Sequence, residues 1–448
     1  MLKGKKKSVE EEIKKEIIRE VTSPPNFDDS IQKTETLSLS IKEGLFGGLS
    51  QSLCDQFVTP FALYLQASPT QIGIMSSLMG IISPFGQIYG SSLMKSKSRK
   101  GIIMGNHALQ SLMWPFLIII GIFAFNNWYV LALPIFLICF RLLYTFFGSS
   151  AGPVWVTLMA DIVPGDRRGR YFSKRNLMIS LVSIIISLSS SFLLDYLDDL
   201  NIIFYGFLII FIVAFVTKII SIIYFKKHYF PHFYIEKRSN FGRFIEFLKA
   251  LPKNNIGLFT IYMTFLTFSV NISGPFIGVY MLTVLKFSYL EYVSVSMSVP
   301  LISLITYPII GYISDKFGNA FVMKICGLLL PVVPILWIFM NTPWQLILGP
   351  QLASAFMWTG MNLAAMNFKF DNSSNQQLGF NEAYSNLFIG FGSSFGGLLG
   401  STLLTIVPII FVSEYETLML ISGIFRLLFG LLILFRIKEV RVKRANGK

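Results

Sequence analysis

The amino-acid sequence predicts an all-α integral membrane protein, and three observations carry that prediction. Hydrophobic side chains make up 53% of the 448 residues and charged ones only 14%, whereas charged residues are close to a quarter of a soluble domain. Apolar runs of about 20 residues, the length that crosses about 30 Å of hydrocarbon as a helix, recur from Gly44 to the C-terminal region. The 43 phenylalanines follow no strict alternation, which argues against a membrane barrel. Helices satisfy their own backbone hydrogen bonds in a lipid bilayer.

Residues 1–43 read as a polar tail. Lys3, Lys5, Lys6 and Lys7 precede a helix-like Glu/Lys patch, Val9 to Glu20, closed by Pro24-Pro25. The tail lacks the apolar core of a signal peptide. Twelve spans follow, at about 44–66, 70–93, 101–125, 128–158, 174–197, 201–225, 256–284, 288–313, 320–340, 343–367, 380–410 and 415–436. They group into an N-terminal bundle at 44–225 and a C-terminal bundle at 256–436, joined by a polar linker at 226–255 that holds His228 and His232. A basic tail occupies 437–448.

The net charge of +14 belongs to loops rather than to a nucleic-acid-binding face. One set of loops carries Lys95, Lys97, Arg99 and Lys100, then Arg167 to Arg175, the linker cations, Lys316, Lys324 and Lys369. The opposite turns, around Ser68, Asn127, Asp199, Ser288, Thr342 and Glu414, hold a single cation, Lys286. The positive-inside rule then places both termini in the cytoplasm, with the plasma membrane as the expected location.

An internal repeat supports the two halves. Asp161, Gly169 and Asn176 recur as Asp371, Gly379 and Asn386, and Gly90 and Gly311 both fall at the foot of the second span of a half. Duplicated units of this kind are common in transporters. Cys54, Cys139 and Cys326 lie in apolar segments at no metal-ligand spacing, so neither metal nor cofactor is expected. No phosphate-binding glycine loop is present to power ATP hydrolysis, and nothing resembles a hydrolytic triad, so the chain does not read as an enzyme.

The loop Gly311-Tyr-Ile-Ser-Asp315-Lys316-Phe-Gly318, its counterpart Gly90 to Lys100, and the stretch Asp161 to Asn176 together resemble signatures of the major facilitator superfamily. The resemblance covers nearly the whole chain from Gly44 and implies two pseudo-symmetric six-helix bundles. It implies a gate at the cytoplasmic face built from Gly311, Asp315, Lys316, Gly318, Gly90, Lys95, Arg99, Asp161, Arg168 and Gly169. Gly311 is expected to let a neighbouring helix approach closely. Asp315 is expected to reach across to the fifth span, whose entry carries the cations Arg168 to Arg175. The N-terminal copy has Met94 where the family has an acid and Lys97 where it has a glycine, so the gate is expected to be lopsided.

Ionisable residues inside a bilayer are costly and mark function. Asp55 in the first span and Arg141 in the fourth both fall near mid-membrane at 1.5 Å per residue, and an ion pair would compensate them. Asp55 is the expected proton carrier, with Arg141 tuning it; a static structural pair is the other reading. His107, with Asn106 and Gln110 on the third span, reads as cavity lining or polar packing. Asn271, Trp358, Asn362 and Asn386 are substrate-contact candidates. Lys218 and Arg426 are expected to snorkel or pair at the periphery. Five glycines, Gly390, Gly392, Gly396, Gly397 and Gly400, mark the eleventh span as a close-packing element, and Pro153 is expected to kink the fourth.

The expected function is secondary transport of a small organic molecule by alternating access, coupled to protons, as export of amphipathic compounds by a monomer. Import of a sugar or other metabolite on the same scaffold stays open, as does a membrane receptor or assembly factor that does not transport.

Overall fold

The computed structural model describes residues 27–164, 168–231, 241–251, 253–372 and 375–439. The expectations for the Glu/Lys patch, for Arg167, for His232 and for the basic residues after Glu439 lie outside them. Among the described residues the long helical segments are numbered here α1 to α12. They are α1 (Phe27–Tyr64), α2 (Pro69–Leu93), α3 (Arg99–Phe125), α4 (Leu133–Ile162), α5 (Arg168–Asp199) and α6 (Ile203–Lys226) in the first half. The second half holds α7 (Asn255–Thr283), α8 (Tyr289–Phe317), α9 (Asn319–Phe339), α10, α11 (Asn375–Leu403) and α12 (Glu414–Ile433). Span α10 starts at Pro343–Leu346, passes through a π-helical turn at Ile347–Gln351 and continues as Leu352–Asn372. A short linker helix, Phe241–Ala250, lies between the halves in sequence.

Among the described residues nine of these helices are long and apolar enough to cross a membrane. The other three, α1, α10 and α11, are interrupted by polar or small residues such as Gln51 and Asp55, Asn362 and Asn367, or the Gly390–Gly400 series.

Three boundaries differ most from those read in the sequence. Helix α1 begins at Phe27 rather than at 44, because its polar first turns dock on the protein instead of trailing into solvent. Tyr171 donates its hydroxyl to the Leu37 carbonyl, and Arg175 donates to the Ser40 carbonyl. Helix α5 begins at Arg168 rather than at 174, so several cations of the expected loop are helical. Helix α11 stops at Leu403 rather than near 410, where the chain turns at Thr405 and the Pro408 carbonyl accepts from Thr417.

The packing repeats between halves. Helix α1 packs on α5 and α6, α2 on α4, and α3 on α4 and α6; correspondingly α7 packs on α11 and α12, α8 on α10, and α9 on α10 and α12. The two principal pairings between halves, α2 with α11 and α5 with α8, exchange under the same shift of six. That is the signature of a pseudo-two-fold axis relating duplicated units. Local chemistry repeats as well. Ser68 and Ser288 each form a capping box at the start of the second helix of their half.

Glycine explains how α11 serves two neighbours. A Cβ at Gly392, Gly396 or Gly400 would meet the α7 backbone at Thr264, Phe268 and Ile272 in turn, whereas one at Gly390 or Gly397 would meet α2 at Gly80 and Ser77. Small residues let membrane helices approach at backbone distance, and α11 uses two such stripes. Ser394 adds a hydrogen bond from its hydroxyl to the Ser77 carbonyl across the halves.

Candidate functional site

Two ends of the bundle differ in charge, and two sets of polar contacts sit between them. At mid-depth, Arg141 Nη2 donates to Asp55 Oδ1 at 2.6 Å. Asp55 lies about nine residues before the end of α1, and Arg141 about eight residues into α4, which places each about 12–14 Å from the less basic end. The expected pair is therefore assembled as the sequence reading had it. Its surroundings carry more than that reading held. Gln51, one turn before Asp55, donates to Asp55 Oδ2 at 2.8 Å, and the Tyr144 hydroxyl donates to Gln51 Oε1 at 3.2 Å. Arg141 Nη1 approaches Cys54 Sγ at 2.8 Å and Nε approaches Met79 Sδ at 3.0 Å. The Arg141 side chain is 13% exposed while that of Asp55 is 42% exposed, so the pair is buried on its cationic side and open on its acidic side.

Arg141 lines a cavity of about 460 Å³ together with Gln51, Ser76, Ser83, Tyr144 and Thr145, with Ser393 on α11 closing it from the other half. Gln51 and Tyr144 were within reach of a sequence reading. Spacings of four from Asp55 and three from Arg141 put each on the same helix face as its partner. Gln110, read beside His107 as cavity lining or polar packing, lines the cavity and donates to the Tyr144 carbonyl at 3.2 Å.

His107 is not among the cavity-lining residues. Its Nδ1 lies 3.0 Å from Lys218 Nζ, with the Phe225 ring beside it. Lys218 is buried, not peripheral. It faces inward because α6 packs on α1 and α3 at that depth. Arg426 is buried too, donating to the Leu330 carbonyl at 3.4 Å. The four substrate-contact candidates of the second half do not converge on the cavity. Asn271 donates to the Thr267 carbonyl of its own helix, Trp358 packs into an apolar cluster of α7, α9 and α10, Asn362 is exposed, and Asn386 donates to Glu382. Helical residues whose amides bond one turn back are satisfied locally, and an asparagine in a sequence does not reveal that.

The gate residues divide. Arg99 is buried and donates to Asp161 at 2.6 Å, to the Thr157 carbonyl and to the Pro231 carbonyl. The repeat reproduces this joint with an amide in place of the cation, where Asn319 donates to Asp371 at 2.9 Å. Gly90 meets the Ser150 backbone closely enough that a Cβ there would collide with it, whereas a Cβ at Gly311 would have open space. This corrects the expectation for Gly311: the close approach belongs to the N-terminal glycine. Gly318 joins α8 to α9 at φ +98°, a conformation that favours glycine, and Glu439 caps α9 there by accepting from the Ala320 amide at 2.7 Å. Asp315 and Lys316 are exposed at the end of α8, with the Lys316 ammonium over the Phe317 ring. Arg168 and Arg175, expected as cations for Asp315, are held in their own half. Arg168 donates to the Ala160 and Val163 carbonyls, and Arg175 binds Glu43 at 3.2 Å and stacks over Trp155. Lys95 is exposed past the end of α2, and Gly169 lies in the first turn of α5.

At the far end the halves meet through Asp195, which no motif marked. Its two oxygens accept the backbone amides of Tyr289 and Leu290 at the start of α8.

The sequence model of the Major Facilitator Superfamily matches residues 44–302 and 259–448. This chain belongs to that superfamily. It is accordingly a multi-pass membrane transporter and not an enzyme. No curated protein matches it in sequence. Among solved structures, the superfamily fold is shared with the nucleoside transporter NupG, at 14% identity over 91% of this chain and 100% of that one with a TM-score of 0.65. A bacterial homologue of the iron transporter ferroportin in an inward-facing state is 14% identical over 90% and 98%, with a TM-score of 0.68. A bacterial homologue of the human lysosomal transporter Spinster, also inward-facing, is 12% identical over 94% and 100%, with a TM-score of 0.65. These likenesses establish the fold.

Proposed function

We propose that the chain is a proton-coupled transporter of a small hydrophilic solute, with Asp55 as the proton carrier and Arg141 as its partner. The observation that carries this reading is the 2.6 Å pair at mid-depth, whose carboxylate is open to solvent while its guanidinium is buried beside a cavity. Protonation of Asp55 removes the charge that holds Arg141, so proton occupancy and the state of the cavity are linked. The hydroxyl and amide lining supports a hydrophilic cargo over the amphipathic one expected from the sequence. Alternating access follows from the packing. Gly80, Gly390 and Gly397 give α2 and α11 a smooth contact on which the halves can rock.

The positive-inside rule supports a cytoplasmic basic end. With Asp195 and the α2–α11 stripes joining the halves toward the other end, the arrangement fits a state open to the cytoplasm. The last turns of α8 from Gly311, ended at Gly318 beside Glu439, and the Arg99–Asp161 joint then flank the cytoplasmic gate.

Proteoliposomes carrying a pH-sensitive dye and a candidate solute test the reading. Solute flux driven by a pH gradient is expected for the natural chain and lost in Asp55→Asn with binding retained. Gradient-driven flux that persists in Asp55→Asn refutes the carrier role.

A further inference from the structure

Among the described residues Arg141 is the only charged one lining the cavity, and its hydrogen bonds are unequal. Two of its three nitrogens meet sulfur, Nε at Met79 and Nη1 at Cys54. Thioether and thiol sulfurs are weak acceptors. Only Nη2 has an oxyanion, and that carboxylate is shared with Gln51 and partly exposed. A guanidinium carries its donors in a planar fork that matches the two oxygens of a carboxylate or phosphate. In a buried site it is left here with one strong acceptor and two poor ones.

We propose that the cargo is a small organic anion whose oxyanion group replaces the sulfur contacts and pairs with Arg141 through two parallel hydrogen bonds. This rests on the transport reading above and names its substrate class. The hydroxyls of Ser76, Ser83, Thr145 and Ser149 then face the remainder of the solute and select hydroxylated or otherwise polar bodies.

Charge balance fixes how the anion travels. Arg141, which lines the cavity, and its partner Asp55 beside it sum to zero. An anion added to that pair leaves one uncompensated negative charge at mid-membrane, where unpaired charge is expensive. Protonation of Asp55 restores neutrality, with the anion on Arg141 and a neutral carboxyl hydrogen-bonded to Gln51. The titratable and charged groups facing Asp55 are Arg141 and Tyr144 from α4 and Cys54 from its own helix. Arg141 keeps its charge throughout. A monovalent anion and one proton therefore move together, with no net charge transferred.

The test uses thermal unfolding of the purified full chain in detergent at pH 5.5 and 7.5. The probes are benzoate, lactate, gluconate, succinate and glycerol 3-phosphate, each beside its neutral partner benzamide, lactamide, gluconamide, succinamide or glycerol. At least one acid is expected to raise Tm by several degrees, more strongly at pH 5.5, while its neutral partner does not. Arg141→Gln abolishes the shift. If that variant does not fold, Arg141→Lys, which keeps the charge but loses the fork, weakens apparent affinity by about tenfold or more. Neutral partners that stabilise equally, a response unchanged in Arg141→Lys, or no response to any acid at either pH would each overturn the assignment. The two readings fail separately. Neutral solutes that bind and still drive proton flux end the anion class alone, whereas acids that bind without proton flux end the coupling.

Discussion

Asp195 of α5 holds the first turn of α8 in the opposite half, with Oδ1 accepting the Tyr289 amide at 2.7 Å and Oδ2 the Leu290 amide at 2.9 Å. A helix start presents unpaired N–H groups and the positive end of its dipole. Ser288 already caps α8 from within the chain, so Asp195 acts as a second cap supplied across the interface. Asp195→Ala removes that cap, a loss of about 1 kcal/mol from the state in which this end is shut. A cysteine placed at Ser76 is expected to become more reactive to a membrane-impermeant maleimide applied at that end, and Asp195→Asn, which keeps one acceptor, shows an intermediate rate. Equal labelling of all three proteins would mean that the contact does not hold the end shut.

Glu43 and Arg175 form a buried pair, with side chains 9% and 11% exposed. Removing one partner strands the other in a dry site. Arg175→Ala is expected to cost about 3–5 kcal/mol, and Glu43→Ala a similar amount. The double variant costs clearly less than the sum, because neither charge is then stranded. Thermal unfolding of the four proteins measures the coupling.

His228 follows α6 and lies buried beside the Phe225 ring. Burial pushes its imidazole down to about 4, partly opposed by the Leu39 backbone and with weaker help from the Arg175 and Lys100 charges. The unfolded chain takes up this proton near pH 6.5 and the folded one only near 4, so the unfolded state binds more protons in between. Stability from this residue is complete above about pH 6.5 and falls as pH drops toward 4, by about 3 kcal/mol in all. His228→Phe is expected to flatten that part of the Tm-against-pH curve while leaving Tm at pH 7.5 nearly unchanged.

Gly90 and Gly311 occupy matching places in the two halves but differ in what surrounds them. Gly90→Ala is expected to cost about 1–3 kcal/mol, since the methyl group must force α2 away from the Ser150 backbone of α4. Gly311→Ala is expected to cost nothing measurable and to add a little helix propensity. The reverse order in a thermal-unfolding comparison would show that the glycine of the better-kept signature is the one under steric constraint.

Apolar length and loop charge made the twelve spans legible in the sequence, and the repeat of Asp161 and Asp371 made the two halves legible. The Asp55–Arg141 pair was legible for the same reason, since two charges in hydrocarbon must find each other. What stayed hidden was decided by rotation about helix axes and by partners distant in sequence. Lys218 read as a peripheral cation and His107 as cavity lining or polar packing, and only the rotation of α6 brings the two together. Gly311 carried the family signature, yet its surroundings depend on how α8 sits, which no local pattern encodes. Asp195 was one of three acids at a helix end, and only the placement of α8 distinguishes it.

The docked beginning of α1 has a consequence for how the chain is made. Leu37 and Ser40 are held by Tyr171 and Arg175, and Thr36 accepts the Tyr229 amide. These partners leave the ribosome long after α1 does, the last of them only after the sixth span is complete. Until then the polar groups at the start of α1 lack the partners they have in the folded half. The N-terminal half thus locks when its final span arrives, before the second half has been synthesised, so biogenesis proceeds in two separate closures.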